Sequence, residues 1–126
     1  MSGVLNGQPI GICVDRIWSP TGELLNVNYS VIDAALAGNN TVVAAQAGKS
    51  IYVLSYEFVT AGAVTVEWQS GASGTVLAKA QSLAANAIKQ LPPSSFGWFQ
   101  TAQGALLNLS LGGAVQVSGS IQWVAF

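Results

Sequence analysis

The sequence contains no histidine, one cysteine and few charged residues, and each scarcity excludes a class of function. Without histidine there is no imidazole metal ligand, no histidine-based catalytic triad and no side chain that ordinarily titrates near neutral pH. The single cysteine, Cys13, excludes an internal disulfide and a multi-cysteine metal site, and its apolar neighbours predict a small buried side chain. We therefore expect no metal ion and no other cofactor.

Charged residues make up 7% of the 126 residues, and the formal net charge is -1. Such a chain has no electrostatic attraction for nucleic acid or for anionic lipid, and no apolar run reaches the ~18 residues of a membrane span. Serine, threonine, asparagine, glutamine and glycine must cover its surface, and a net charge near zero favours association between copies. We expect permanent contact with protein partners, and neither nucleic acid nor a membrane among them.

The stretch QAGKS, residues 46–50, ends like a phosphate-binding loop. Such a loop requires an earlier glycine where this chain has Val43, and it leads from a strand into a helix. Here Ser50 leads into IYVLSYEF, which is rich in β-branched and aromatic residues and predicts a strand. We interpret Gly48 as a turn residue before a strand and not as part of a nucleotide site.

Two alternatives remain open at this point. A tight connection at residues 60–63 predicts that Glu57 and Glu67 lie opposite one another on adjacent strands, and a carboxylate pair ~5 Å apart suits a retaining glycosidase. The tryptophans and tyrosines suggest a carbohydrate-binding module, although most of them lie at positions that predict core or interface packing. Neither glutamate lies in a glycine-rich or aromatic-rich motif. We therefore predict no catalytic residue and a protein that is not an enzyme.

The first 26 residues differ from the rest of the chain. Turn-forming residues interrupt them at Asn6-Gly7, Pro9, Gly11 and SPTG (residues 19–22), and the apolar pieces between are too short to fold alone. We predict an irregular N-terminal arm over residues 1–26 that needs a surface to lie on. Its apolar side chains are the predicted contacts with that surface: Ile10, Ile12, Val14, Ile17 and Trp18.

Residues 27–126 show short runs of strand-forming residues that are separated by turns. The predicted strands cover residues 27–33, 41–45, 50–60, 63–69, 74–80, 88–91, 97–101, 105–111 and 115–126. Even spacing with little helical signal is typical of an antiparallel all-β sandwich or barrel.

Alternation of side chains predicts which faces are buried. Val64, Val66 and Trp68 alternate with polar residues, which indicates one buried and one exposed face. In the strand after Lys49, alternation predicts that Tyr52, Leu54, Tyr56 and Phe58 share one face. The opposite face, which carries Ile51 and Val53, is too apolar to face water alone, and we predict that it contacts another subunit.

Several segments together resemble small virion proteins of tailed bacteriophages, of the capsid decoration or cement type. The pattern comprises AGKSIYVL at residues 47–54, FGWFQTAQGALLNL at 96–109 and VSGSIQWV at 117–124. With GAVTVEW and LAAN between them, it covers roughly residues 30–126. The first 26 residues lack it.

The resemblance implies a jelly-roll β-sandwich that forms a homotrimer on the outer surface of the phage head. Such a protein is made in the host cytoplasm, binds the major capsid protein and reinforces the shell. The expected contacts between copies are Ile51, Val53, Phe96, Trp98 and Phe99. The alternative is a carbohydrate-binding or receptor-binding sandwich module of a phage tail or fibre.

Overall fold

The computed structural model describes residues 16–94 and 97–126, and all regular structure in these ranges is β-strand. In chain order the strands are β1 (Arg16–Trp18), β2 (Leu24–Asn26), β3 (Asn28–Ala34), β4 (Thr41–Val43), β5 (Ile51–Thr60), β6 (Val64–Ser70), β7 (Thr75–Leu83), β8 (Ile88–Leu91), β9 (Phe99–Gln100), β10 (Leu107–Leu111) and β11 (Val117–Ala125). Each strand predicted after residue 26 has a counterpart, which confirms an all-β protein. No helix in the described ranges is long and apolar enough to cross a membrane.

Two antiparallel sheets form a sandwich-like arrangement. The first, which we call the five-stranded sheet, has the order β3-β11-β5-β8, and β9 also pairs with β5. The second, the four-stranded sheet, has the order β4-β10-β6-β7. Alternate side chains of both sheets point between them, because successive residues of a strand face opposite ways. These side chains form the main core, which contains Ile32, Val43, Phe58, Val66, Leu107, Leu109, Val117 and Ile121.

Aromatic rings fill one part of the main core. The ring of Tyr56 lies 5.1 Å from that of Trp68 and 5.6 Å from that of Phe58, measured between centroids. Phe99 completes the group, with its ring 5.9 Å from that of Trp68. Burial raises the pKa of the Tyr56 hydroxyl above its ordinary value, because the phenolate would lose its hydration.

A β-bulge in β5 changes which of its residues point into the core. Ser55 pairs with Gln122, but the next pair joins Val53 to Trp123, so Leu54 is an extra residue on β5. A bulge of this kind leaves one residue unpaired and shifts the alternation of side chains by one position. On β5, the core-facing residues are therefore odd-numbered before Leu54 and even-numbered after it.

Because of the bulge, the faces that alternation predicts for β5 are wrong at its start. Ile51 and Val53 are fully buried in the main core on the same side as Tyr56 and Phe58, instead of opposite them. Leu54 belongs to a second cluster on the other side of the sheet, with Tyr52 packed against it.

The second cluster is covered by a hairpin made of β1 and β2. Its buried members from the hairpin side are Leu25 and Val27, and they pack with Leu54 and Val124 of the five-stranded sheet. A turn between Ser19 and Glu23 closes the hairpin, with 2.7 Å from the Ser19 amide nitrogen to the Glu23 carbonyl oxygen. Residues 16–26 of the predicted arm therefore form a hairpin that packs on the body, whereas residues 1–15 lie outside the described residues.

The QAGKS segment is a turn that leads into β5. The Lys49 amide donates to the Gln46 carbonyl over 3.0 Å, and Gly48 has a φ of 70°, a conformation that favours glycine. β5 begins three residues after Gly48, at Ile51. The interpretation of these residues as a turn before a strand is confirmed.

Candidate interaction surfaces

The side of the five-stranded sheet that faces away from the main core is a candidate surface, and we call it the outer face. Strand register places Val31 beside Ser120 and Glu57, and Gln90 beyond Glu57 on β8. The neighbouring row joins Asp33, Ser118, Val59 and Ile88 across the same four strands. The hairpin covers one end of the sheet by packing on Leu54 and Val124, and the rows named here lie beyond it.

Four apolar side chains stand exposed on the outer face, two on β3 and two at the opposite margin. Val31 is 73% exposed and Tyr29 is 57% exposed on β3. Ile88 on β8 is 72% exposed, and Val59 beside it is also exposed. These two pairs of exposed apolar side chains, separated by Ser120, Glu57 and Ser118, are available for contact with another protein.

A groove of about 530 Å³ crosses the outer face between Tyr29 and the Pro92-Pro93 segment. Its floor is polar: the Ser55 and Gln122 side chains lie 3.0 Å apart in a hydrogen bond, and Ser120 lies beside them. The Gln90 side-chain amide donates to the Glu57 carboxylate over 3.3 Å. Hydroxyl and amide groups over an exposed tyrosine ring provide donors, acceptors and a flat apolar surface for a polar ligand.

The structure does not bring the two predicted carboxylates together. Glu57 is on β5 of the five-stranded sheet, and Glu67 is on β6 of the four-stranded sheet, so the connection between these strands passes from one sheet to the other. Glu67 accepts a hydrogen bond of 2.7 Å from Gln69. The hairpin geometry behind the glycosidase alternative is therefore wrong. Within residues 16–94 and 97–126, no three metal-ligating acidic or cysteine side chains lie close enough together to bind a metal ion.

A buried polar network lies on the side of the four-stranded sheet that faces away from the main core. Asn108 is fully buried there, and its Oδ1 accepts from the Asn40 amide over 2.8 Å. Its Nδ2 donates to Asn39 Oδ1 and to Gln69 Oε1, both over 2.8 Å. Because each polar atom of the Asn108 amide is bonded, the network fixes the 38–40 turn to β10 and has a structural role.

The predicted contacts between copies lie in three different environments. Ile51 and Val53 are fully buried within one copy, so their side chains are not available to another copy, and this part of the prediction is corrected. Phe99 is half-buried and packs on the main core. Trp98 is 45% exposed and donates from Nε1 to the Pro92 carbonyl over 2.8 Å. Phe96 lies outside the described residues.

Of the predicted capsid contacts, the structure describes Ile17 and Trp18. Ile17 is half-buried and packs on the second cluster, whereas Trp18 is 68% exposed at the end of β1. Leu24, which pairs with Trp18 in the hairpin, is exposed as well. Ile10, Ile12 and Val14 lie outside the described residues.

Sequence reasoning missed the exposed apolar residues of β3. Val31 and Ile32 are neighbours of similar character, and Tyr29 alternates with Ser30, so both sides of the strand carry apolar residues. Alternation cannot say which side faces water when both are apolar. The pairing of β3 with β11 decides it, because Ile32 lies opposite Gly119 on the core side.

Comparison with known protein families, with curated proteins and with solved structures finds no match to this chain.

Proposed function

We propose that this chain is a structural virion protein, a homotrimeric decoration or cement protein with a jelly-roll sandwich that binds the outer surface of a bacteriophage head. The observation that carries the proposal is the outer face, where Tyr29, Val31, Val59 and Ile88 stand exposed on a chain with little charge. Burying such side chains against another protein removes apolar area from water, worth roughly 25 cal/mol per Å² before the costs of association. The motif resemblance and the sandwich of antiparallel sheets support the same reading.

The mechanism requires no catalysis. A protein that binds the assembled shell and not its separated subunits stabilises the shell by mass action. We assign the contact between copies to the outer face, and the contact with the major capsid protein to the exposed end of the hairpin, where Trp18 and Leu24 lie. The first assignment replaces Ile51 and Val53, which the fold buries, and the second keeps Trp18 from the predicted capsid contacts.

Binding to phage heads tests the function directly. The protein is mixed with heads that lack it, the heads are pelleted, and bound protein is quantified. We expect saturable binding that Trp18→Ala weakens at least ~10-fold, since an exposed aromatic anchor at an interface is commonly worth 1–2 kcal/mol or more. The matched control is Val76→Ala, which removes an exposed apolar side chain from the four-stranded sheet. Absence of saturable binding would remove the proposal.

The oligomeric state is tested separately, by light scattering on protein eluting from a size-exclusion column. We expect the mass of a trimer at micromolar concentration, and a smaller mass for the double variant Val31→Asp/Ile88→Asp, whose carboxylates would be desolvated at the contact. The matched control places two carboxylates at exposed positions of β7, as Thr75→Asp/Gln81→Asp. A wild-type monomer, or a trimer that survives both outer-face charges, would contradict this assignment.

The groove favours a second candidate function, a carbohydrate-binding or receptor-binding module of a phage tail or fibre. Its polar floor and the exposed ring of Tyr29 match the hydroxyl groups and the flat faces of a neutral sugar. Titration calorimetry with neutral oligosaccharides from the host cell surface is the test. Millimolar or tighter binding that Tyr29→Ala abolishes would support the module, and no heat of binding would remove it.

A further inference from the structure

The groove on the outer face is lined by two rows of side chains that run across the sheet. In the first row, Gln122 on β11 pairs with Tyr29 on β3 and with Ser55 on β5. In the next row, Glu57 on β5 pairs with Gln90 on β8. All five residues line the groove. The chemical groups that each row leaves free decide which ligand the groove fits.

The first row offers a flat ring and a hydrogen-bond donor. The Ser55 hydroxyl donates to Oε1 of Gln122 over 3.0 Å, and Nε2 of Gln122 donates to no described residue. The ring of Tyr29 is exposed beside Gln122. A flat apolar surface next to a free amide suits the face and the hydroxyl groups of a sugar ring.

The second row offers acceptors and a negative charge. Nε2 of Gln90 donates to Oε2 of Glu57 over 3.3 Å, and within the described ranges Oε1 of Glu57 accepts no hydrogen bond. No lysine or arginine is among the described residues that line the groove. A carboxylate oxygen and an amide oxygen match a group that carries positive charge and only donates, which is an ammonium or a guanidinium.

The separation of the two rows requires a ligand of some length. Glu57 lies two strands and two residues away from Tyr29, which is about 12 Å between their backbone positions at the usual strand spacing and rise. A single lysine or arginine side chain that reaches Glu57 would leave Tyr29 uncovered. A ligand of two or more linked units can contact both.

The floor of the groove favours a sugar chain over an extended peptide. β5 and β11 are interior strands of the sheet, so their backbone N–H and C=O groups pair with neighbouring strands. An extended peptide is commonly held by the backbone groups of a sheet edge, which this floor does not offer. Side-chain amides and hydroxyls are the groups that remain, and they match the hydroxyl groups of a sugar.

We propose that the groove binds an oligosaccharide in which one sugar carries a free amino group. The ammonium lies at Glu57, and a neighbouring sugar ring lies on Tyr29 with a hydroxyl that accepts from Gln122. This inference rests on the second candidate function, since it takes the groove to be a glycan site, and it names the class of glycan.

Titration calorimetry with two matched probes tests the proposal. The probes are oligosaccharides of glucosamine and of N-acetylglucosamine with equal length, measured at a mildly acidic pH that protonates the free amino groups. They differ in the acetyl group, which removes the positive charge. We expect the glucosamine form to bind at least ~10-fold more tightly at low salt, and added salt to weaken this form alone, because screening acts on the charge pair.

Glu57→Gln tests the source of the preference, because it removes the charge and keeps the shape of the side chain. We expect the affinities of the two probes to come within ~2-fold of each other in this variant. The matched control is Glu67→Gln, which makes the same change on the four-stranded sheet. We expect it to keep the full preference.

The outcomes separate this inference from the function on which it rests. Equal affinity for the two probes, or a preference that survives Glu57→Gln, would overturn the inference. If Tyr29→Ala then abolishes the binding, the glycan module itself stands. No heat of binding with either probe would remove both. Tighter binding of a lysine- or arginine-containing peptide than of the glucosamine probe would also overturn the inference, because the ligand would then be a protein.

Discussion

Replacing Leu25 by alanine tests whether the hairpin is part of the folded body. Leu25 is 7% exposed and packs on Leu54 and Val124, so the substitution removes buried apolar atoms from the second cluster. Buried leucine-to-alanine changes cost about 2–5 kcal/mol, and we expect ~2–3 kcal/mol because a two-stranded hairpin can move to fill part of the space. With an m-value of about 2 kcal/mol/M, the urea midpoint falls by ~1–1.5 M.

The neighbouring residue supplies the control. Leu24 is 46% exposed on the same strand, and we expect Leu24→Ala to change the free energy of unfolding by less than ~0.5 kcal/mol. Both variants are measured at one protein concentration, since association would add a concentration-dependent term. Equal midpoints for the two variants would refute the packing of the hairpin on the sheet. That result would also favour the prediction that residues 1–26 form a separate arm.

Three further predictions concern the sandwich itself. Gly119→Ala should destabilise the protein by ~3 kcal/mol or more in urea unfolding, because a Cβ there would overlap the Glu57 carbonyl oxygen on β5. The control Gly113→Ala should be nearly neutral, because open space surrounds Gly113. Equal losses of stability in the two variants would contradict this prediction. Burial raises the pKa of Tyr56, so the free energy of unfolding should fall as the pH rises above about 10, where this tyrosine ionises in the unfolded chain but not yet in the folded one. Tyr56→Phe should reduce that fall, and an equal fall in both proteins above about pH 10 would contradict this prediction. Asn108→Ala should cost about 2–3 kcal/mol in thermal or urea unfolding, because it leaves the buried side-chain oxygen of Gln69 without this donor and removes the bond to the Asn40 backbone amide. A change below ~0.5 kcal/mol would show that the network is dispensable.

Strand positions after residue 26 could be predicted because turn residues separate runs with clear alternation. The faces of β5 could not, because the bulge at Leu54 arises from pairing with β11 and has no local signal such as glycine. The prediction that Glu57 lies opposite Glu67 was wrong for a similar reason. The short connection after Thr60 resembles a hairpin turn, but its backbone bonds go elsewhere, from the Thr60 amide to the Ala87 carbonyl and from the Ala61 amide to the Gln116 carbonyl.

The candidate surface was harder to predict than the fold. Its apolar members come from β3, β5 and β8, which lie far apart in the sequence and meet only through the strand order of the sheet. Composition predicts a protein that associates with others, since that inference depends on total charge and not on position, and it stays a prediction. Which side chains make the contacts depends on which face the core leaves exposed.

The proposal of a decoration protein on the outside of a phage head is best tested by a cryo-EM map of tailed-phage virions that have been incubated with this protein. We expect density for three copies of the sandwich on the outer surface of the shell, in contact with neighbouring major capsid subunits. Density for the sandwich on the tail or its fibres, with none on the head, would contradict it.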